Sequence, residues 1–351
     1  MRNSFESKKG VSVVVCCYNS AERLPKTLEY LAGQKTPDPL KWEVVIVDNA
    51  STDNTATVAK KIWFQYGNPV PLRIVDEPHP GLSAARKRGM AASHFELIIF
   101  ADDDNWLCRD YVARVFAIFD REGSIGVVGG HGEPVFESQP PDWFDQYAHY
   151  FAVGKQNETS GEVSSAVACV YGAGMAIRKS AWRKVTSAGF ESILSDRKGS
   201  SLASGGDHEL CLVLKIAGYK VWHESELKFK HFITRQRLNW EYLLNLTECI
   251  HFSSVYLKPY YEFLGDDSGK QLERRTSWIA NAGKAARKLA KYCRMYIECR
   301  IKYEDTTEVR RQMKKHVGEL KGWWAIRKKY GNLCETVCKL NLRLKTPEEE
   351  N

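Results

Sequence analysis

Leu97-Ile98-Ile99-Phe100-Ala101-Asp102-Asp103-Asp104-Asn105-Trp106 is the stretch that decides the fold. Five apolar residues run straight into three carboxylates. An apolar run of that length predicts a buried strand. At its exit three negative charges repel one another, and a divalent cation relieves the repulsion. Hard cations take oxygen ligands, and Mg²⁺ usually shares its shell with substrate phosphates. In open α/β sheets, ligands sit beyond the carboxyl ends of the strands. The stretch by itself leaves one alternative open, a solvated acidic turn capping the helix that begins near Arg109.

Working outward, the preceding chain repeats the same pattern. Val11 to Cys17 is β-branched and predicts a strand, ended by Tyr18-Asn19-Ser20, where Asn19 or Ser20 can cap the next helix. Leu24, Leu28 and Leu31 recur there at helical spacing, and Pro37 and Pro39 break the helix. Trp42 to Val47 is a second strand, ending in the polar loop Asp48 to Asp53, with a helix over 54–66. A third strand is expected over 72–75, and loop plus helix over 81–93. Strands alternating with helices, each strand almost continuously apolar, predict a mostly parallel, Rossmann-like α/β sheet flanked by helices. The first strand is not followed by GxGxxG, so the dinucleotide fingerprint is missing.

Beyond the triplet, a helix is expected over 111–119 and a strand over 125–130. Residues 134–150 are rich in Pro and aromatic side chains, Trp143 among them, and predict an ordered loop. Tyr171-Gly172-Ala173-Gly174-Met175 places glycines inside a strand pattern over 167–177, a mark of close backbone approach. Residues 196–206 predict a mobile Gly/Ser-rich loop, 207–216 a helix ended at Gly218, and 219–222 and 227–232 two short strands. From Asn239 onward the pattern is helical, with segments over 240–261, 276–300 and 309–330.

The chain has 351 residues, net charge +8 and ten cysteines. From Lys270 onward 21 basic residues face 10 acidic ones, so the positive excess belongs to the tail. That asymmetry implies an anionic partner for the tail alone. No CxxC pair occurs, and the cysteines read as buried reduced thiols. No apolar run approaches the roughly 20 residues that span a bilayer, and residues 1–10 lack a signal-like apolar region. The expected location is cytoplasmic, at most peripheral on the inner face of the cell membrane.

Taken in order, Val14-Val15-Cys16-Cys17-Tyr18-Asn19, Val47-Asp48-Asn49-Ala50-Ser51-Thr52-Asp53, Gly81-Leu82-Ser83-Ala84-Ala85-Arg86 and Phe100-Ala101-Asp102-Asp103-Asp104 resemble the motifs of a family 2 glycosyltransferase of the GT-A fold. Gly172-Ala173-Gly174-Met175 and Gly205-Gly206-Asp207-His208-Glu209-Leu210, followed by Ala217-Gly218-Tyr219, resemble its acceptor-side motifs. The resemblance covers about residues 10–235. It implies a GT-A catalytic domain over 1–235, with a nucleotide-binding half (10–130) and an acceptor-binding half (131–235). A basic α-helical extension over 236–351 follows.

The resemblance also implies roles. Asp48 binds the nucleobase, Tyr18 and Asn19 line the nucleotide pocket, and Arg86 lies near the nucleotide. The triplet corresponds to the DxD motif, with Asp104 a ligand of Mg²⁺ or Mn²⁺ and Asp102 near the ribose or the metal. Because three Asp stand in a row the register can slip by one, and Asp103 stays open as a ligand. His231 resembles a histidine that completes the metal site. Asp207 corresponds to the general base that takes the acceptor hydroxyl's proton in one inverting displacement. One departure stands out: the family usually has Glu-Asp where this chain has Gly206-Asp207.

The expected activity is therefore inverting, metal-dependent transfer of a sugar from a nucleotide-sugar donor, a UDP-sugar by expectation, to a hydroxyl of a glycan or lipid-linked acceptor. Cell-surface polysaccharide synthesis is the expected setting. Gly206 motivates an alternative, a nucleotide-sugar-binding relative with impaired catalysis. A sugar-phosphate nucleotidyltransferase would open with a Gly-rich loop where Cys17-Tyr18-Asn19-Ser20 stands, and an acid-nucleophile phosphatase would want Thr or Val at Trp106. In the tail, Ala285, Leu289, Tyr292 and Tyr296 recur among Lys284, Arg287, Lys288, Lys291 and Arg294. Basic amphipathic helices of this kind can lie on an anionic membrane surface. No nucleic-acid reading module is visible, and no nucleic-acid partner is expected.

Overall fold

A computed structural model describes residues 8–164, 169–194, 204–265 and 277–345. Most of the Gly/Ser-rich stretch expected to be a mobile loop, and the polar C-terminus, lie outside the described residues. The strands are β1 (Lys8–Cys17), β2 (Trp42–Asp48), β3 (Leu72–Asp76), β4 (Phe95–Asp102), β5 (Asn105–Leu107), β6 (Ile125–Phe136), β7 (Gly161–Glu162), β8 (Ala176–Arg178) and β9 (Lys220–Ile233). The helices are α1 (Leu24–Ala32), α2 (Thr55–Gln65), α3 (Leu82–Ala92), α4 (Tyr111–Arg121), α5 (Phe144–Tyr147), α6 (Lys179–Ser187), α7 (Gly206–Ile216), α8 (Trp240–Tyr256), α9 (Lys258–Leu264), α10 (Trp278–Ile301), α11 (Thr307–Ile326) and α12 (Tyr330–Lys345).

One sheet orders the strands β3-β2-β1-β4-β8-β6-β9-β5, with β7 paired on β9. β1 to β4 run parallel, while β8 is antiparallel to both β4 and β6, and β5 is antiparallel to β9. The nearly continuous apolar runs have a direct cause. Val13, Val15, Ile46, Leu97 and Ile99 enter the core under α1, α2 and α4. Val14, Val45, Val47, Ile98 and Phe100 enter the core on the other face, under α3, α6 and α7. A strand covered on both faces has no polar side to alternate with.

Several expectations change in detail. The two strands expected over 219–232 are one long strand, β9, paired with β6 through two register shifts. The aromatic loop begins as the end of β6 and continues into α5. Its Trp143 packs against Trp240 at 5.4 Å between ring centroids and against Phe144, Tyr147 and Phe151. Of the strand expected over 167–177, residues 167–168 lie outside the described residues, and the described part holds only the short β8. Neither Asn19 nor Ser20 caps α1, whose first turn carries no side-chain cap.

The basic tail is helical, and it is not a detached appendage. Leu257, Tyr260 of α9, and Val337 and Leu340 of α12 join the same core cluster as α7 and the sheet. α11 packs on α8, burying Trp323 and Ile326 with Val255. Among the described residues no helix is long and apolar enough to cross a membrane. All ten cysteines are thiols.

Candidate active site

Strand register builds the site. In the parallel pairs around β1, Cys17 stands opposite Asp48 and Cys16 opposite Asp102. Both carboxylates therefore leave the sheet at the same edge, one on each side of β1. Asp48 Oδ1 is buried and has no hydrogen-bond partner among the described residues. An unsatisfied buried acceptor costs about 1–3 kcal/mol, so this oxygen is suited to an incoming N–H. The flanking loops are tied down by amides. Asn49 Nδ2 donates to the carbonyls of Glu77 (3.0 Å) and His79 (2.7 Å), and its Oδ1 accepts from Gly81 N (2.8 Å). Asn19, in a left-handed conformation (φ 49°), accepts through Oδ1 from Thr52 N at 2.7 Å. Its side-chain oxygen thus braces the β2–α2 loop, while neighbouring Tyr18 is 48% exposed at the rim.

The three adjacent aspartates have three different surroundings. Asp103 turns toward α1: Arg23 donates to its Oδ2 from Nε (3.1 Å) and Nη2 (2.6 Å), and Thr27 Oγ1 donates to its carbonyl (2.7 Å). Burial first, then the charge of Asp104, pushes the Asp103 carboxyl up to about 6 despite Arg23. Asp104 turns toward β9. Its Oδ1 accepts from Asn105 Nδ2 (3.0 Å) and lies 3.6 Å from His231 Nε2. Its Oδ2 accepts from Arg237 Nη1 at 3.3 Å. Asp102 is half-buried, and its backbone N donates to Asn105 Oδ1 (3.1 Å).

Asp207 stands in the first turn of α7, after Gly205 at φ +113°. Its Oδ2 accepts from Gly172 N and its Oδ1 from His208 N, both at 2.9 Å. The Gly172–Met175 turn is fixed to β4, because Phe100 N donates to Met175 O at 2.8 Å. Asp207 is therefore linked through one short turn to the strand that ends in the acidic triplet. A Cβ on Gly172 would lie 2.6 Å from Arg86 Nη2 and 3.0 Å from Asp207 Oδ2, so only glycine lets both approach. Arg86 also lies over the Phe100 ring, 5.6 Å from its centroid. It sits beside the Gly172 turn that holds Asp207.

Some supporting groups escape a reading of the sequence. Glu209 is fully buried and accepts from Ser192 Oγ, from Ile193 N and Leu194 N, and from Tyr260 Oη at 2.8 Å. Tyr261 Oη pairs with His208 Nε2 at 3.0 Å. Both tyrosines belong to α9, so the helical tail clamps the helix that carries Asp207. Tyr-Tyr in a helix and Glu after His carry no signal that would have found this. Arg237, on a short 3₁₀ turn after β9, was likewise one basic residue among many.

The donor chemistry fits a hard divalent cation. Asp104 Oδ1 and His231 Nε2 face each other at a separation two ligands of one metal can share, and His231 Nδ1 is a buried atom with no partner among the described residues. No group of three or more His, Cys, Asp or Glu side chains among the described residues could hold a metal. A cation held by those two side chains would need substrate oxygens to complete its shell.

Residues 12–186 match the sequence profile of the family described as Glycosyl transferase family 2. Glycosyltransferase AglE of Haloferax volcanii is 33% identical over 123 residues, covering 35% of this chain and 39% of the relative. Human dolichyl-phosphate beta-glucosyltransferase is 37% identical over 101 residues, covering 27% of this chain and 31% of the relative. The chain thus spans well under half the length of these curated relatives. Among solved structures, the mannosyltransferase PcManGT of Pyrobaculum calidifontis, in complex with GDP-Man and Mn²⁺, superposes with a TM-score of 0.54 at 16% identity. That match covers 93% of this chain and 88% of that one, and it shows a shared fold.

Proposed function

The chain belongs to glycosyl transferase family 2 through residues 12–186, and on that premise we propose that it is an inverting, metal-dependent glycosyltransferase using a nucleotide-sugar donor. The observation that carries the reading is the gathering of Asp48, Asp102–Asp104 and Asp207 at one edge of the sheet. Asp48 accepts an N–H of the base, uracil being the one expected, and Tyr18 and the loop braced by Asn19 border the pocket. Asp102 lies toward the ribose. Asp104 and His231 hold Mg²⁺ or Mn²⁺, which when bound neutralises the charge that develops on the departing nucleoside diphosphate. Asp103 turns toward Arg23 at the start of α1 while Asp104 faces His231, which supports Asp104 rather than Asp103 as the ligand within the triplet. Asp207 Oδ2, positioned by Gly172 N–H, takes the proton of the acceptor hydroxyl as that oxygen attacks the anomeric carbon. The bond to the diphosphate breaks on the opposite face, and the configuration inverts.

The acceptor we propose is a glycan or a lipid-linked hydroxyl, in cell-surface polysaccharide synthesis; the lipid-linked case is supported by the name of the human relative. Exposed Lys284, Arg287, Lys288, Lys291 and Arg294 run along α10 toward exposed Ile297 and Ile301. This face is proposed to rest on an anionic membrane surface, which would keep the enzyme peripheral at the inner face of the membrane. Because α12 shares the core, the test is charge reversal at Lys284, Arg287, Lys288 and Lys291 rather than truncation. Co-sedimentation with anionic vesicles should fall, and equal binding by both forms refutes the contact.

Gly206, which puts no carboxylate before Asp207, favours one second reading: donor binding without transfer. A panel of nucleotide sugars with and without Mn²⁺ separates the two. Transfer or donor hydrolysis supports the enzyme, metal-dependent binding without turnover supports the relative, and no binding of any donor refutes both.

A further inference from the structure

Arg237 lies where a cation is needed. Its Nη1 is 3.3 Å from Asp104 Oδ2 and 3.3 Å from His231 Nε2. The Asp104 and His231 side chains are only 8% and 9% exposed, so the Asp104 charge cannot rely on water. A buried carboxylate is costly without an opposite charge, and beside the neutral amide of Asn105 it is Arg237 that brings positive charge to Asp104. A guanidinium only donates hydrogen bonds, so a bond from Arg237 to His231 Nε2 requires the ring proton on Nδ1. That tautomer presents its lone pair at Nε2, the atom facing Asp104.

We infer that Arg237 is a resident counter-cation that a divalent metal must displace from Asp104 and His231, and that the displaced guanidinium then serves the donor's diphosphate. The inference rests on the proposed donor site. A divalent cation and a guanidinium cannot share one carboxylate and one imidazole lone pair at 3.3 Å without strong repulsion. A diphosphate changes the balance. It brings negative charge to the metal and offers the freed guanidinium a fork-shaped partner, for which Arg is suited. Arg237 can make the exchange because it sits on the three-residue turn Arg235–Arg237, whose first two residues are exposed. Metal alone is then held weakly and metal with diphosphate tightly, so neither is retained without the other.

The test measures Mn²⁺ binding without nucleotide by electron paramagnetic resonance, and binding of inorganic pyrophosphate in the presence of Mn²⁺ by calorimetry. Arg237→Gln should bind Mn²⁺ alone about tenfold more tightly and Mn²⁺-dependent pyrophosphate about tenfold more weakly, the factor one charged hydrogen bond is worth. Arg237→Lys, which keeps the charge, should leave Mn²⁺ affinity close to wild type. Unchanged or weaker Mn²⁺ binding by Arg237→Gln overturns the counter-cation role while leaving the donor site standing. Absence of saturable pyrophosphate binding in the presence of Mn²⁺, in wild type and variant alike, overturns the donor site and this role together. ¹⁵N resonances of His231 in the unaltered, metal-free protein give an independent check: a proton on Nδ1 is expected, and a proton on Nε2 refutes the contact with Arg237.

Discussion

Replacing Asp207 by Asn removes the proposed base and keeps the side chain's shape. The structure sets the scale of the incidental damage. Asp207 accepts two backbone hydrogen bonds, from Gly172 N and His208 N at 2.9 Å each. An amide oxygen can keep one of them, and its NH₂ then faces the other N–H. In a half-buried position that loss is worth about 1 kcal/mol, or roughly 2 °C in Tm for a chain of this size. A displaced side chain of that energy accounts for at most about fivefold in rate. Loss of a general base costs about 10²–10⁴-fold, equivalent to roughly 3–5 kcal/mol of barrier. The expected result is therefore a kcat reduced at least a hundredfold, an almost unchanged Kd for UDP with Mn²⁺, and a Tm lowered by a few degrees at most. Product release and calorimetry on the same preparation measure all three. A rate within fivefold of wild type would remove Asp207 as the base, and a large loss of UDP binding would show that donor and acceptor roles are not separable there.

Asp48→Ala deletes a buried oxygen that has no partner among the described residues, so Tm should hold or rise while UDP affinity with Mn²⁺ falls about tenfold; a marked loss of Tm would mean the carboxylate is structural. For Asp103 the folded-state carboxyl is raised from 3.8 to about 6, so its protonation favours the fold. That contribution is full below pH 3.8 and is lost as pH rises through 6. Asp103→Asn imitates the protonated form and should raise Tm over wild type at pH 8 in metal-free buffer, the advantage vanishing near pH 4. His251 of α8 runs the opposite way, being lowered from 6.5 to about 4 by burial and by Lys315 and Arg311 of α11, with His316 adding and Glu319 opposing. Its contribution is full above pH 6.5 and is lost toward pH 4, by up to about 3 kcal/mol. Melting curves of wild type and His251→Gln across that range should converge or cross, and a constant gap would refute the assignment.

Much of residues 10–130 was legible in the sequence because the strands there are buried on both faces. Val11–Cys17, Trp42–Val47 and Leu97–Ala101 leave little room for another reading, and they end where Asp48 and the triplet emerge. Legibility fails where contacts are distant. Asp102, Asp103 and Asp104 are identical letters, and what separates the surroundings of the last two is distant in sequence: Arg23 lies 80 residues before Asp103 and Arg237 lies 133 residues after Asp104. Glu224-Ser225-Glu226 reads as a break between two strands, yet β9 continues through a register shift. Residues 330–345 carry a periodic Cys334, Val337 and Leu340, which only tertiary packing reveals as core: Val337 and Leu340 join the cluster under α6 and α7, and Cys334 joins Trp323 and Ile326 of α11. The clamp from Tyr260 and Tyr261 onto α7 ties the expected tail to the expected base, a connection no local pattern encodes.

The most direct test of the central claim is transfer or donor hydrolysis across a panel of nucleotide sugars, run with Mn²⁺, with a chelator, and with Asp104→Ala. Turnover of at least one donor, a UDP-sugar by expectation, should appear with Mn²⁺ and disappear in the other two conditions. Failure of every nucleotide sugar to bind or react in the presence of metal would contradict the account.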